Sequence, residues 1–297
     1  MTKRSTPTRR RAKPKPRAGK RAGRLSRFLR AFTTSAIAAF SIASCALNPQ
    51  LRDHLPSLTG QEDLALQAPP TGARLQTRFS GCPQFFPGGR APIVPAAPAL
   101  HELCFSSFAI LHSGQTKTPV FVAQRLNRKM LDQAQGIKRT DRFYSEARLP
   151  TAQRAQLDDY RGSGYSRGHM APAGDMHTLE AMAQSFSLAN MVPQDQRHNA
   201  GAWSKVESDT RKYIMRAQGD VYVLTGPVYD RRPQTIGPGK VAVPGGMFKL
   251  VYDVTTGRSW VHWQANSPDA KVGPPISYAE FVRRTGLQLS LSAAGAP

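Results

Sequence analysis

Apolar and polar positions divide the chain into two regimes. Residues 31–47 (AFTTSAIAAFSIASCAL) form one uncharged, largely apolar run, whereas from residue 103 onward apolar residues come in short groups with strand or helix periodicity. Leu103 to Leu111 is apolar, and Thr118 to Ala123 (TPVFVA) alternates, which predicts a strand. Asp220 to Thr225 (DVYVLT) predicts another, and Val241 to Val254 followed by Arg258 to Trp263 predicts a hairpin turning at Thr256-Gly257. Between these, Gly201 to Gln218 carries no Gly or Pro after its first residue and predicts a helix with Trp203, Val206, Tyr213 and Ile214 near one face. Pro/Gly density around Pro83 to Pro98 predicts irregular backbone. The expected class is mixed α and β.

Charge sharpens the division. The 297 residues hold 41 Lys+Arg and 19 Asp+Glu, a net +22, but 13 of the basic residues and no acid lie in residues 1–30. The remainder is only +9. Residues 1–30 read as a disordered basic tail, 31–47 as a signal or anchor, 48–80 as a linker, 81–287 as the folded domain and 288–297 as a flexible tail. Seventeen helical residues reach roughly 26 Å, short for a membrane span and adequate for a signal core. A basic flank before an apolar run predicts export, leaving the protein periplasmic, membrane-anchored or secreted in a bacterium. The membrane contact would be made through residues 31–47 if they are uncleaved, or through lipidation of Cys45, which follows Ile42-Ala43-Ser44. The Arg-rich, acid-free flank also suits a mitochondrial transit peptide, the lesser reading. An oxidising compartment would allow Cys82 and Cys104 to pair; reduced, they are small core residues.

With three cysteines a four-Cys zinc site is excluded, and His101-Glu-Leu-Cys104-Phe105 places Phe where a zinc protease needs its second His. Chemistry concentrates instead in Tyr160 to Asp175, where Gly162, Gly164 and Gly168 precede an Arg167-Gly168-His169 triplet. A permanent cation two residues from an imidazole can grip phosphate while the neutral ring takes a proton. On a helix, Asn199, Trp203, Glu207 and Arg211 recur every four residues as one stripe, offering an amide and a carboxylate oxygen to a hard cation such as Mg²⁺. His177 and His198, flanking these segments, are expected at the surface.

Gly162-Ser-Gly-Tyr-Ser-Arg-Gly-His169, Ser187-Leu-Ala-Asn190-Met-Val-Pro-Gln194 and Asn199-x-Gly-Ala-Trp203-x-x-x-Glu207 together resemble the DNA/RNA non-specific endonuclease family, the ββα-metal nucleases. Arg139-Thr-Asp141-Arg-Phe143 is similar to an element of some members, and the likeness spans Pro83 to Val272. The resemblance implies an α+β fold, with a central antiparallel sheet, flanking helices and a ββα core. It implies a Mg²⁺-dependent, sugar-non-specific endonuclease, with Mn²⁺ as a possible substitute, acting on DNA and RNA and leaving 5′-phosphate ends.

By the same resemblance His169 is the general base, Asn199 the metal ligand and Glu207 the carboxylate ordering metal-bound waters. Arg139, Arg167 and Arg211 hold the phosphate, its developing charge or the local geometry, while Gly168, Asn190 and Trp203 support the site. Ser166 departs from the family's usual Asp, removing a negative charge; a bracing role survives through its hydroxyl, a tuning role does not. A membrane-tethered nucleic-acid receptor, inactive through Ser166, is the alternative function. No motif assigns an inhibitor protein or an oligomeric state.

Overall fold

The computed structural model describes residues 72–291. Six strands build one antiparallel sheet: β3 (Leu100–Cys104), β4 (Ala109–Ser113), β5 (Thr118–Leu126), β8 (Val221–Val228), β11 (Gly246–Asp253) and β12 (Arg258–Ala265). Their spatial order is β12-β11-β8-β5-β4-β3. Two short strands, β1 (Arg74–Gln76) and β2 (Ile93–Pro95), pair with each other, as do β9 (Thr235–Ile236) and β10 (Val241–Ala242). The remaining pair, β6 (Ser166–His169) and β7 (Met191–Gln194), carries the site. Helices are α1 (Arg128–Ala134), α2 (Leu157–Tyr160), α3 (Leu179–Ser185), α4 (Gln196–His198), α5 (Ser204–Ile214) and α6 (Tyr278–Thr285).

Both faces of the sheet are covered, so its strands alternate between two cores rather than between core and water. Phe121, Ala123, Leu224, Phe248, Leu250 and Val261 face a layer containing Phe79, Phe86 and Phe281 of α6. Ile110, Val122 and Met247 face the layer that holds Met170, Phe186 and Trp203. Helix α6 is bounded by local chemistry: the Ser277 hydroxyl accepts from Glu280 N, and Gly286 takes the left-handed conformation (φ 70°) that ends it.

Each edge strand is engaged from outside the sheet. On β3 the Glu102 carboxylate accepts from the amides of Arg78 and Phe79 (2.7 Å each), and Cys104 is joined to Cys82 by a disulfide. On β12, Val261 and Ile276 exchange two backbone hydrogen bonds (3.0 and 2.9 Å). The two thiols that sequence left open are therefore paired. Cys45 and residues 1–47 lie outside the described residues.

Two boundaries differ from expectation. Strand β1 and the buried Phe79 fall inside the stretch read as a linker, because Thr77 and Gln76 bond back to Pro92 and Ala91. Residues 288–291, read as the start of a flexible tail, pack instead: Gln288 pairs with Ile93, Leu289 is buried, and Leu291 O accepts from Tyr252 Oη (2.7 Å).

Candidate active site

Strands β6 and β7 pair antiparallel, with Ser166 opposite Gln194, Gly168 opposite Val192 and His169 opposite Met191. The two-residue period of a strand puts Arg167 and His169 on one face. Gly168 is required by close approach, since a Cβ there would lie 2.1 Å from Gln194 Oε1 and 2.6 Å from Gln194 Cβ. Just past His169 the chain is clamped by the fully buried Asn190. Its Oδ1 accepts from Ala171 N, and its Nδ2 donates to Ala171 O and Ser185 O, all at 2.9 Å.

After β7, Asp195 caps the turn of α4 by accepting from His198 N (2.9 Å). Asn266 ties this corner down, accepting from Asp195 N and donating to Pro193 O and Pro244 O. A π-helical turn, Asn199–Trp203, then leads into α5. The helix expected from Gly201 to Gln218 is therefore a widened turn followed by an eleven-residue α-helix. That widening breaks the uniform i,i+4 stripe read from sequence. Asn199 falls on a surface cleft, whereas Trp203 is fully buried and Glu207 and Arg211 join an inner cluster.

The cleft, of about 530 Å³, is lined by Arg139, Asp141, Phe143, Ser166, Arg167 and Asn199, with Tyr160 and Tyr165 among its walls. Arg167 lies over the Phe143 ring at 4.1 Å, and Arg139 over Phe186 at 5.2 Å while pairing with Asp141 at 2.8 Å. Cation–π seating holds the Arg167 guanidinium without consuming its donors, whereas Arg139 gives Nε and Nη2 to Asp141 Oδ1. His169 packs against the same rings, 6.0 Å from Phe143 and edge-on to Phe186 at 5.1 Å. Its Nε2 is buried without a hydrogen-bond partner. Burial, reinforced by the Arg139 charge, pushes the imidazole down to about 3, so the ring is neutral across the physiological range.

Behind the cleft, Arg211 Nη1 bonds the buried Asp175 (3.0 Å), whose other oxygen receives Gln124 Nε2 (3.4 Å). Arg211 is thus held in an ion pair with Asp175 and does not line the cleft. Glu207 beside it is pushed up to about 7, chiefly by burial, and Lys249 partly offsets the rise. Lys249 is a charged residue that sequence reading missed; its signal is a single lysine in the middle of the apolar strand GMFKLVYD. His198, expected at the surface, is instead buried at 1 % exposure, because Gln194 donates to its Nδ1 (3.3 Å) and Gln264 Oε1 engages its Nε2 (2.8 Å).

Among the described residues no group of three or more His, Cys, Asp or Glu is placed to hold a metal ion. The Asn199 carboxamide, however, lines the cleft with no hydrogen-bond partner among the described residues. One hard amide oxygen with room for water fits Mg²⁺, which keeps most of its hydration and takes one or two protein ligands.

The family model described as DNA/RNA non-specific endonuclease matches residues 91–281. Human nuclease EXOG, mitochondrial, is 34 % identical over 162 residues, which are 50 % of this chain and 43 % of that protein. Human endonuclease G, mitochondrial, is 32 % identical over 156 residues, 49 % of this chain and 52 % of that one. The chain spans about half the length of these curated relatives. A chain from the crystal structure of the EndoG/EndoGI complex, a study of EndoG inhibition, superposes with TM-score 0.58 at 23 % identity, covering 74 % of this chain and 93 % of that one; this likeness concerns the fold.

These matches correct the expected localisation. The relatives are named as mitochondrial nucleases, and among the described residues no helix is long and apolar enough to cross a membrane. The expectation of a periplasmic, anchored or secreted bacterial protein fails because a basic flank before an apolar run satisfies organelle and export addresses equally.

Proposed function

Because this chain belongs to the DNA/RNA non-specific endonuclease family, we propose that it hydrolyses phosphodiester bonds of DNA and RNA, with Mg²⁺ as its metal and His169 as general base. The observation that carries this is the single cleft on which Arg139, Arg167 and Asn199 meet, with a neutral His169 packed against its aromatic wall. Water attacks phosphorus in line with the leaving 3′ oxygen. His169 accepts the water's proton, its ring packed against Phe143 and Phe186. Breaking the bond from phosphorus to the 3′ oxygen leaves a 3′-hydroxyl and a 5′-phosphate, while Arg139 and Arg167 bind the phosphate and offset the charge that grows on its oxygens. Asn199 would hold the metal, which when bound supplies Lewis-acid stabilisation of phosphoryl and leaving-group charge. Glu207 orders solvent on the same helical run, and Ser166, on the cleft wall, braces the loop before the triplet.

These residues are suited to contacting phosphate rather than base edges, so sequence preference is small and binding weakens steeply with salt. The test is relaxation of supercoiled plasmid by the full chain with Mg²⁺ and with EDTA. Cleavage only with Mg²⁺ is expected, abolished in His169→Ala with DNA affinity retained, and shifted to a higher metal requirement in Asn199→Ala. Intact plasmid in both tubes, with DNA still bound, refutes the proposal.

A further inference from the structure

Every residue of β11 is buried, yet the middle of the strand is a lysine. Lys249 is 1 % exposed, and an ammonium removed from water to that degree must be matched by a partner charge or shed its proton. Its Nζ donates to Thr225 Oγ1 (2.7 Å), directly opposite on β8, and stands 5.6 Å over the Trp203 ring.

The charged and titratable groups facing this point are Glu207 and Arg211 of α5, Asp175 of the turn Ala173–Asp175, and His262 opposite on β12. Arg211 and Asp175 already form an ion pair, and His262 is held toward its neutral form by burial and by Lys249 itself. What remains is one cation, Lys249, and one anion, Glu207. Burial works against both charges, raising the carboxyl and lowering the ammonium, and each is the leading influence favouring the other's charged form. Trp203 joins them: its ring lies under the ammonium, and its buried indole N–H, with no partner at full hydrogen-bond geometry, favours the ionised carboxylate.

We propose that Lys249 is a positioning residue for Glu207: anchored to the central sheet by Thr225 and seated over the ring of Trp203, one helical turn before Glu207, its ammonium supplies the counter-charge that orients the carboxylate. This deepens the nuclease reading and rests on it for the role of Glu207.

The experiment is a double-mutant cycle on the full chain at pH 8, using Lys249→Met, Glu207→Gln and both together, with urea-unfolding midpoints and steady-state cleavage read in parallel. Lys249→Met is expected to lower kcat by about tenfold or more with KM for DNA changed less than about twofold. Added to Glu207→Gln it should cost little further, and the double variant should unfold at a higher midpoint than Lys249→Met alone, because no half-buried carboxylate is left without its counter-charge. Lys249→Arg, which keeps the charge, should recover part of the lost kcat.

If Lys249→Met does not fold but the double variant does, that rescue is the same coupling in its strongest form. Additive losses, two variants that both fail to fold, no recovery with Arg, or a change confined to KM overturns the proposal. Should the wild type cleave nothing, the nuclease reading fails while the unfolding cycle still reports whether the two charges are coupled.

Discussion

Replacing Asn190 with alanine isolates the link between a buried amide and the proposed base. The side chain has 0 % exposure, and its three hydrogen bonds run to Ala171 N, Ala171 O and Ser185 O. Truncation leaves one N–H and two carbonyls unpaired. Each orphaned group costs about 1–3 kcal/mol, and the carbonyls, with a second lone pair and a cavity that water can enter, sit at the low end, so a loss of about 3–4 kcal/mol follows. For a domain of this size each kcal/mol lowers Tm by about 2–4 °C, giving a drop on the order of 10 °C. Ala171 lies two residues beyond His169, so the freed strand end also misplaces the imidazole. Small misplacements of a reacting group are costly, and kcat should fall at least about tenfold. Calorimetric melting and initial rates of plasmid relaxation check both halves. A Tm within about 2 °C of wild type with an unchanged rate would refute the clamp.

Three further outcomes follow from the site. Gly168→Ala drives a Cβ into the Gln194 side chain and should destabilise by about 1–3 kcal/mol while reducing cleavage, visible in a denaturant titration. Cys82→Ser opens a bond spanning 22 positions and should cost about 3 kcal/mol, read as the difference between its Tm and that of the oxidised wild type. In the metal-free protein, NMR should place the Glu207 carboxyl titration near 7 and show His169 unprotonated until pH approaches about 3. By linkage, the stability contributed by His169 is complete above its unfolded value of about 6.5 and erodes as pH falls toward 3. That of Glu207 is complete below about 4.5 and is lost as pH rises through 7. An imidazole titrating between 6 and 7 contradicts the aromatic burial of His169.

The long strands were legible because their apolar periodicity is local: the strand expected over 118–123 runs Thr118–Leu126, and the hairpin expected from 241–254 and 258–263 is met by Gly246–Asp253 and Arg258–Ala265, while Val241–Ala242 pairs instead with Thr235–Ile236. Arg139, Arg167 and Asn199, singled out by the family resemblance, line one cleft. Three features were not legible. The π turn at Asn199–Trp203 escapes a helical wheel, which assumes a uniform period. His198 reads as polar until Gln194 and Gln264, one of them 66 positions away, close around it. Lys249 is anomalous in its strand, but the charges that make sense of it come from segments near 175 and 207, brought together only by the fold.

The guarded margins of the central sheet bear on how copies of the protein can associate. With Glu102 and the Cys82–Cys104 bond fastened to one border and Ile276 hydrogen-bonded along the other, neither border offers the uninterrupted row of free amides and carbonyls that recruits a foreign strand. Edge-to-edge pairing of two native central sheets is therefore disfavoured. A partly folded chain lacking both the Cys82–Cys104 bond and the Val261–Ile276 pairing would bare both borders, and that species, not the native molecule, is the one open to cross-β association.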